Sequence, residues 1–179
     1  PVDYEKWLKS HSADRRELER QRAAELWKRV PVSAVLLYGT VQEEQQSRES
    51  LMQQTFGEIS VYTPDTWNTQ DIQKCEYILL IQAGAVLRPE AVYRLVTVAS
   101  EKQKKSLLYT DHDIREENGH LKDPFCKPDY DPVLQGQMNY LGPVLLADAE
   151  LVKDLTQKEQ EELWRKLAAK AEQICHVPE

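Results

Sequence analysis

Apolar residues along this 179-residue chain fall into two rhythms. Short runs of strand length alternate with stretches in which apolar positions return every three or four residues. The run 32–38, VSAVLLY, is almost continuously apolar, as expected of a strand buried on both faces. On this pattern strands are predicted at about 33–38, 58–62, 76–81, 106–110 and 143–147, and residues 174–177 read as a strand-like stub. Tyr4, Trp7, Leu8 and His11 have helical spacing. A second helix, capped by Ser12 with Asp14 in its first turn, is expected to run through Leu18, Ala23, Ala24 and Trp27 and to stop before Pro31. Further helices are expected from Gln42 to Gln54, as a short turn over 69–73, near Glu150, and from Gln157 to Gln173. Pro89 is placed to open another, with Ala91, Val92, Leu95, Val96 and Ala99 on its apolar face. Strands alternating with helices predict an α/β fold: a mostly parallel sheet in a three-layer sandwich. A helical lead-in, 1–30, precedes a single domain, 31–179.

Composition narrows the function classes. With 41% hydrophobic and 30% charged residues the chain reads as globular, and its length suits one core. No run approaches the roughly 20 apolar residues that span a bilayer, and no secretory signal opens the chain. Net charge is −7, but residues 1–30 carry +2, which leaves −9 for the remainder. An acidic body argues against nucleic acid as a partner, because backbone binding needs clustered cations. Cys75, Cys126 and Cys175 are far apart, show no zinc spacing, and point to a reducing, cytoplasmic setting. A chain beginning at Pro1 reads as an excised segment, with any membrane association left to flanking regions.

Candidate chemistry gathers in residues 109–146. The strand ending in Tyr109 is expected to deliver Asp111, His112 and Asp113 at its carboxyl end, where open α/β sheets bind ligands. Two carboxylates one residue apart can share a divalent cation with a diphosphate; the alternative is an Asp-rich turn that caps its own backbone. A turn at Asn118 and Gly119 leads into DPFCKPDYDP, whose three prolines forbid helix and fix an extended path. There Phe125, Lys127 and Tyr130 offer a recognition surface, or else anchor a packed loop. His176 is a ligand or base candidate, or a satisfied edge histidine.

Several of these passages resemble a bacterial, rhamnosyltransferase-like subset of family 2 glycosyltransferases. The parts that carry the likeness are SLMQQTFGEI from Ser50, EYILLIQAGAVLRPEAV from Glu76, YTDHD from Tyr109, and Gly119. DPF from Asp123, KPDYDP from Lys127, Asn139-Tyr140 and His176-Val177-Pro178 complete it. The resemblance implies a GT-A-like fold, a nucleotide-sugar donor and a glycan or lipid-linked acceptor. It also implies nucleotide-sugar contacts at Tyr38, Asp65, Asp111 and Asp113. Where that family carries its metal-binding Asp-x-Asp, this chain has Gln82-Ala83-Gly84, and the interval 151–174 lacks the family's base motif. Two readings follow. One is a degenerate or accessory module with no tightly bound cofactor, partnered by a nucleotide sugar, a glycan or other domains of a larger glycosyltransferase. The other is a compact active enzyme that uses Asp111 and Asp113 for manganese or magnesium.

Overall fold

The structure, a computed structural model, describes residues 6, 9–10, 12–68, 70–71, 74–102, 104–110, 112–115, 121–125, 143–152 and 163–177. Of the opening helix, Lys6, Lys9 and Ser10 are helical, while Tyr4, Trp7, Leu8 and His11 lie outside the described residues. Six strands build the main sheet: β1 (Val32–Leu37), β2 (Ser60–Tyr62), β3 (Tyr77–Gln82), β4 (Ser106–Thr110), β7 (Val144–Asp148) and β8 (Gln173–Val177). Their order is β2-β1-β3-β7-β4-β8. Only β7 runs against the others, pairing antiparallel with both β3 and β4. The apolar run 32–38 accordingly lies inside the sheet, flanked by β2 and β3 in parallel register.

Alternation along each strand divides the core between the two faces of the sheet. Val35, Leu37, Ile78, Leu80, Leu107, Tyr109, Leu145 and Ala147 share one cluster with Leu151 and Val152 of α4 (Ala149–Val152) and Leu167 of α5 (Leu163–Lys170). Ala34, Leu36, Leu79, Ile81, Leu108 and Leu146 share the other. Leu51 of α2 (Val41–Met52) joins that cluster, with Val92, Leu95, Val96 and Ala99 of α3 (Ala91–Ser100). The result is an α/β three-layer sandwich. A sheet with five of six strands parallel needs this double cover, because neither face can be left to water.

Several expected boundaries shift for local reasons. The lead-in helix α1 (Arg15–Ala23) is capped by Asp14, whose carboxylate accepts from the Glu17 N–H, rather than by Ser12. It stops short of Trp27 because Glu25 takes a left-handed conformation, φ 47°, and a 3-10 turn, Leu26–Lys28, follows. Strand β2 is shorter than predicted, α3 begins at Ala91 two residues after Pro89, and the helix expected to reach Gln173 ends at Lys170. Gln173 instead opens β8, which takes up the predicted stub and pairs along the full length of β4. The largest correction concerns the acidic triplet. Strand β4 ends at Thr110 and Asp111 lies outside the described residues, but His112 and Asp113 are not left at that strand's end; they lie in β5 (His112–Arg115), which pairs antiparallel with β6 (Leu121–Phe125). Backbone pairing carries these residues into a strand, and a register shift between His112 and Ile114 takes up the irregularity. Pro124 is tolerated because β6 is an edge strand of its two-stranded sheet.

The turn after α2 depends on one glycine. Gly57 sits at φ +118°, and a Cβ there would run into the indole Cδ1 of Trp27. Strain and collision add, so Gly57→Ala is expected to destabilise the protein by about 2 kcal/mol or more in denaturant titration. Met52→Gln, at a position 85% exposed, is expected to stay within about 0.5 kcal/mol of the parent.

Candidate functional site

The chain leaves β1 toward β2 on one side, while β3 occupies the other, so the sheet's switch point lies between the carboxyl ends of β1 and β3. Ligands of open α/β sheets bind in such a crevice. Three loops meet there: Tyr38–Thr40 after β1, Thr63–Thr66 after β2, and Gln82–Gly84 at the end of β3.

Strand register fixes which residues face each other. Ser33 pairs with Ser60 and Val35 with Tyr62, and continuing that offset sets Tyr38 beside Asp65. The Tyr38 hydroxyl donates to Asp65 Oδ1 at 3.0 Å. The Thr63–Thr66 turn presents the carboxylate: Thr66 N–H donates to the Thr63 carbonyl at 3.0 Å, and Thr63 N–H donates to Thr66 Oγ1 at 2.8 Å. The phenol is held above its ordinary value of 10, first by this hydrogen bond to the carboxylate. The residue remains 53% exposed. Tyr38 and Asp65, nominated separately from the sequence, are thus brought together.

The offset between β1 and β3 likewise sets Gly39 opposite Gly84. A Cβ on Gly39 would lie 2.5 Å from Ala83 Cβ and 2.6 Å from Glu43 Oε2. One on Gly84, at φ +97°, would lie 3.5 Å from Glu43 Cγ. The Glu43 side chain therefore packs between the two glycine loops. Its place follows from a capping box: Glu43 N–H donates to Thr40 Oγ1 at 3.1 Å, and Thr40 N–H donates to Glu43 Oε2 at 3.2 Å. The Gly84 N–H is engaged twice, by the Glu43 carbonyl at 3.2 Å and by Ser47 Oγ at 3.0 Å. Sequence reasoning missed Glu43, although the pattern Thr40-x-x-Glu43 after an apolar run would have found it.

The other nominated residues fare differently. Asp113 and Phe125 lie on the paired strands β5 and β6, where Phe125 is the register partner of His112. Asp111, Lys127 and Tyr130 fall outside the described residues. His176 is half-buried on β8 and stacks on the buried Tyr109 ring, with centroids 5.0 Å apart and an interplanar angle of 16°. Cys75 and Cys175 pack partly buried against the core, as expected of small apolar side chains. No helix among the described residues is long and apolar enough to cross a membrane.

Residues 82–84 carry no carboxylate. Hard divalent cations take carboxylate and carbonyl oxygens, six or more for calcium and an octahedron for magnesium. Gln82 contributes a neutral amide, while Ala83 and Gly84 contribute backbone alone. Among the described residues, no group of three or more His, Cys, Asp or Glu side chains could hold a metal ion.

No family model matches the chain. A segment of 85 residues is 31% identical to the uncharacterized protein y4gI of Sinorhizobium fredii (strain NBRC 101917 / NGR234), covering 48% of this chain and 9% of that protein. The match therefore spans only a small part of that relative's length. Among solved structures, 4-diphosphocytidyl-2C-methyl-D-erythritol synthase from Anaerococcus prevotii DSM 20548 aligns over 87% of this chain and 89% of its own. The TM-score is 0.37 and the identity 10%. That likeness assigns nothing to this chain.

The Tyr38–Asp65 pair has a direct signature. Replacing the carboxylate by an amide (Asp65→Asn) removes the charge that holds the phenolic proton. The Tyr38 titration is then expected to move down toward 10, read as the difference between tyrosinate absorbance titrations of Asp65→Asn with and without Tyr38→Phe. An unchanged curve would mean that the two side chains are not paired in solution.

Proposed function

We propose that this chain is a shortened, accessory glycosyltransferase-like module of nucleotide-sugar-dependent glycan synthesis. In this reading it contributes binding, within a larger transferase, rather than sugar transfer of its own. The observation that carries the reading is the make-up of the switch-point crevice. It keeps an aromatic and carboxylate pair, Tyr38 and Asp65, suited to a hydroxyl-bearing ring, and it lacks carboxylates at 82–84, where the resemblance calls for them. The Ser50, Tyr109 and Lys127 passages support the ancestry, and the GT-A-like architecture belongs to the same proposal.

Inverting sugar transfer needs a base within hydrogen-bond reach of the acceptor hydroxyl and electrostatic support for the departing diphosphate. The loop 82–84 supplies no carboxylate to hold a cation at the diphosphate. Loss of a general base alone costs roughly 10²–10⁴ in rate. Asp113 stays a candidate ligand contact beside Asp111, and Phe125, Lys127 and Tyr130 form the candidate glycan or partner surface.

Incubating the protein with a panel of nucleotide sugars, with and without Mn²⁺, is expected to give no transfer and no donor hydrolysis above the protein-free rate. Added nucleoside diphosphates are expected to raise thermal stability little, because stabilisation follows ligand affinity. Metal-dependent turnover abolished by Asp111→Ala or Asp113→Ala would overturn the accessory reading and establish the compact enzyme.

A further inference from the structure

Helices α2 to α5 each set an apolar residue in a core cluster: Leu51 of α2, Leu95 of α3, Leu151 of α4 and Leu167 of α5. In α1 the buried residue is a glutamine, Gln21, and Leu18 is half-buried. Gln21 Oε1 accepts from the Thr55 hydroxyl at 2.6 Å, and Gln21 Nε2 donates to Glu17 Oε1 at 3.1 Å within the helix. Beside it the Arg20 guanidinium lies 5.9 Å from the centre of the Tyr93 ring. Apolar anchoring follows the helix, where Leu26, Trp27 and Val30 pack on the core. Between the polar contact and that anchor stands Glu25 at φ 47°, left-handed backbone that a residue with a Cβ adopts only under strain. Thr55 supplies the other half of the arrangement. Its hydroxyl has one proton and faces two oxygens that can only accept, Gln21 Oε1 at 2.6 Å and the Pro89 carbonyl at 3.2 Å. The Pro89 carbonyl also accepts from the Thr55 N–H at 2.8 Å.

We propose that α1 is a strap, hinged at Glu25 and latched by Gln21, that releases while the sheet stays folded. The Thr55 hydroxyl makes this release cheap. With α1 docked, its proton goes to the nearer acceptor, Gln21 Oε1; with α1 gone, it turns to the Pro89 carbonyl. The core therefore keeps no orphaned hydroxyl, and the large cost of an unsatisfied buried polar group does not arise. Release also lets Glu25 leave its left-handed conformation. Once free, nine residues are too few to hold a helix in water, so release and melting of α1 are one event. The device is independent of any ligand at the switch point.

Native-state hydrogen exchange on the whole chain, followed by NMR, tests the strap. In the parent, the amides from Leu18 to Ala24 are expected to exchange as a group, about a hundredfold or more faster than those of Val35 and Leu79. Thr55→Val removes the donor without altering α1, and is expected to raise that ratio about fivefold further, while Thr55→Ser keeps it near the parent value. The proton handover has its own signal. Gln21→Ala is expected to move the Pro89 carbonyl carbon resonance downfield, and the same change made on Thr55→Val is expected to leave it where Thr55→Val has it. Exchange of α1 at the rate of Val35 and Leu79 in the parent would place the helix in the same cooperative unit as the sheet and overturn the strap. Unfolding of the whole chain by Gln21→Ala would have the same meaning. A Pro89 carbonyl resonance that Gln21→Ala leaves unmoved would overturn the handover on which the cheap release depends.

Discussion

Everything at the carboxyl end of the sheet depends on how the connection from β3 to α3 is tied down. Few of its own residues bond within it, and it is held from outside by buried polar side chains of α2 and the turn that follows. Ser47 Oγ donates to the Ala85 carbonyl at 2.7 Å while accepting from Gly84 N–H. Gln54 Nε2 donates to the Arg88 and Ser50 carbonyls, and its Oε1 accepts from Val92 N–H at 3.0 Å. That last bond matters because Glu90, at the N-cap of α3, makes no side-chain cap. A glutamine from a distant part of the chain caps the helix instead. Thr55 completes the tie through its N–H to the Pro89 carbonyl at 2.8 Å and its hydroxyl to Gln21 Oε1 at 2.6 Å, which also docks the lead-in helix. Buried polar groups are tolerable only when satisfied, and a network satisfied this fully permits one arrangement of the loop.

This tie sets the loop after β3 against α2. With Gly84 fixed against α2, the first turn of that helix is drawn over the switch point, and its N3 residue, Glu43, comes with it. The capping box that starts the helix and the carboxylate in the crevice are the same residue. A helix N-terminus ordinarily offers unpaired N–H groups to an anion. Here part of that capacity is spent on Thr40 and Glu43 themselves. Fold alone does not assign a function, and an α/β sandwich hosts many. The case for a binding module rests on the residues at the strand ends.

Most of the sheet was legible in the sequence because its strands are buried on both faces and therefore read as uninterrupted apolar runs. That holds for β1, β3, β4 and β7, and the stub at Ile174 correctly announced β8. The reversed direction of β7 was not legible, since a five-residue apolar run looks the same either way. Nor was the β5–β6 pair: HDIR and LKDPF carry polar and proline residues that suggest turns, and only pairing with each other makes them strands. Of the site, Tyr38 and Asp65 were each nominated through a family likeness, and their contact follows from a strand offset that only the fold supplies. Glu43 escaped notice because it read as one polar residue in a polar helix. Its role appears once Gly39 and Gly84 are seen in register.

The Gly84 amide at the end of β3 is already satisfied from within. Hydrogen exchange at the Gly84 N–H measures this directly. With two internal acceptors, Glu43 O and Ser47 Oγ, the amide is expected to exchange far more slowly than an open loop amide. Its rate is also expected to stay unchanged when pyrophosphate is added. Rapid exchange, or protection that rises with pyrophosphate, would mean that the amide is open to an outside acceptor.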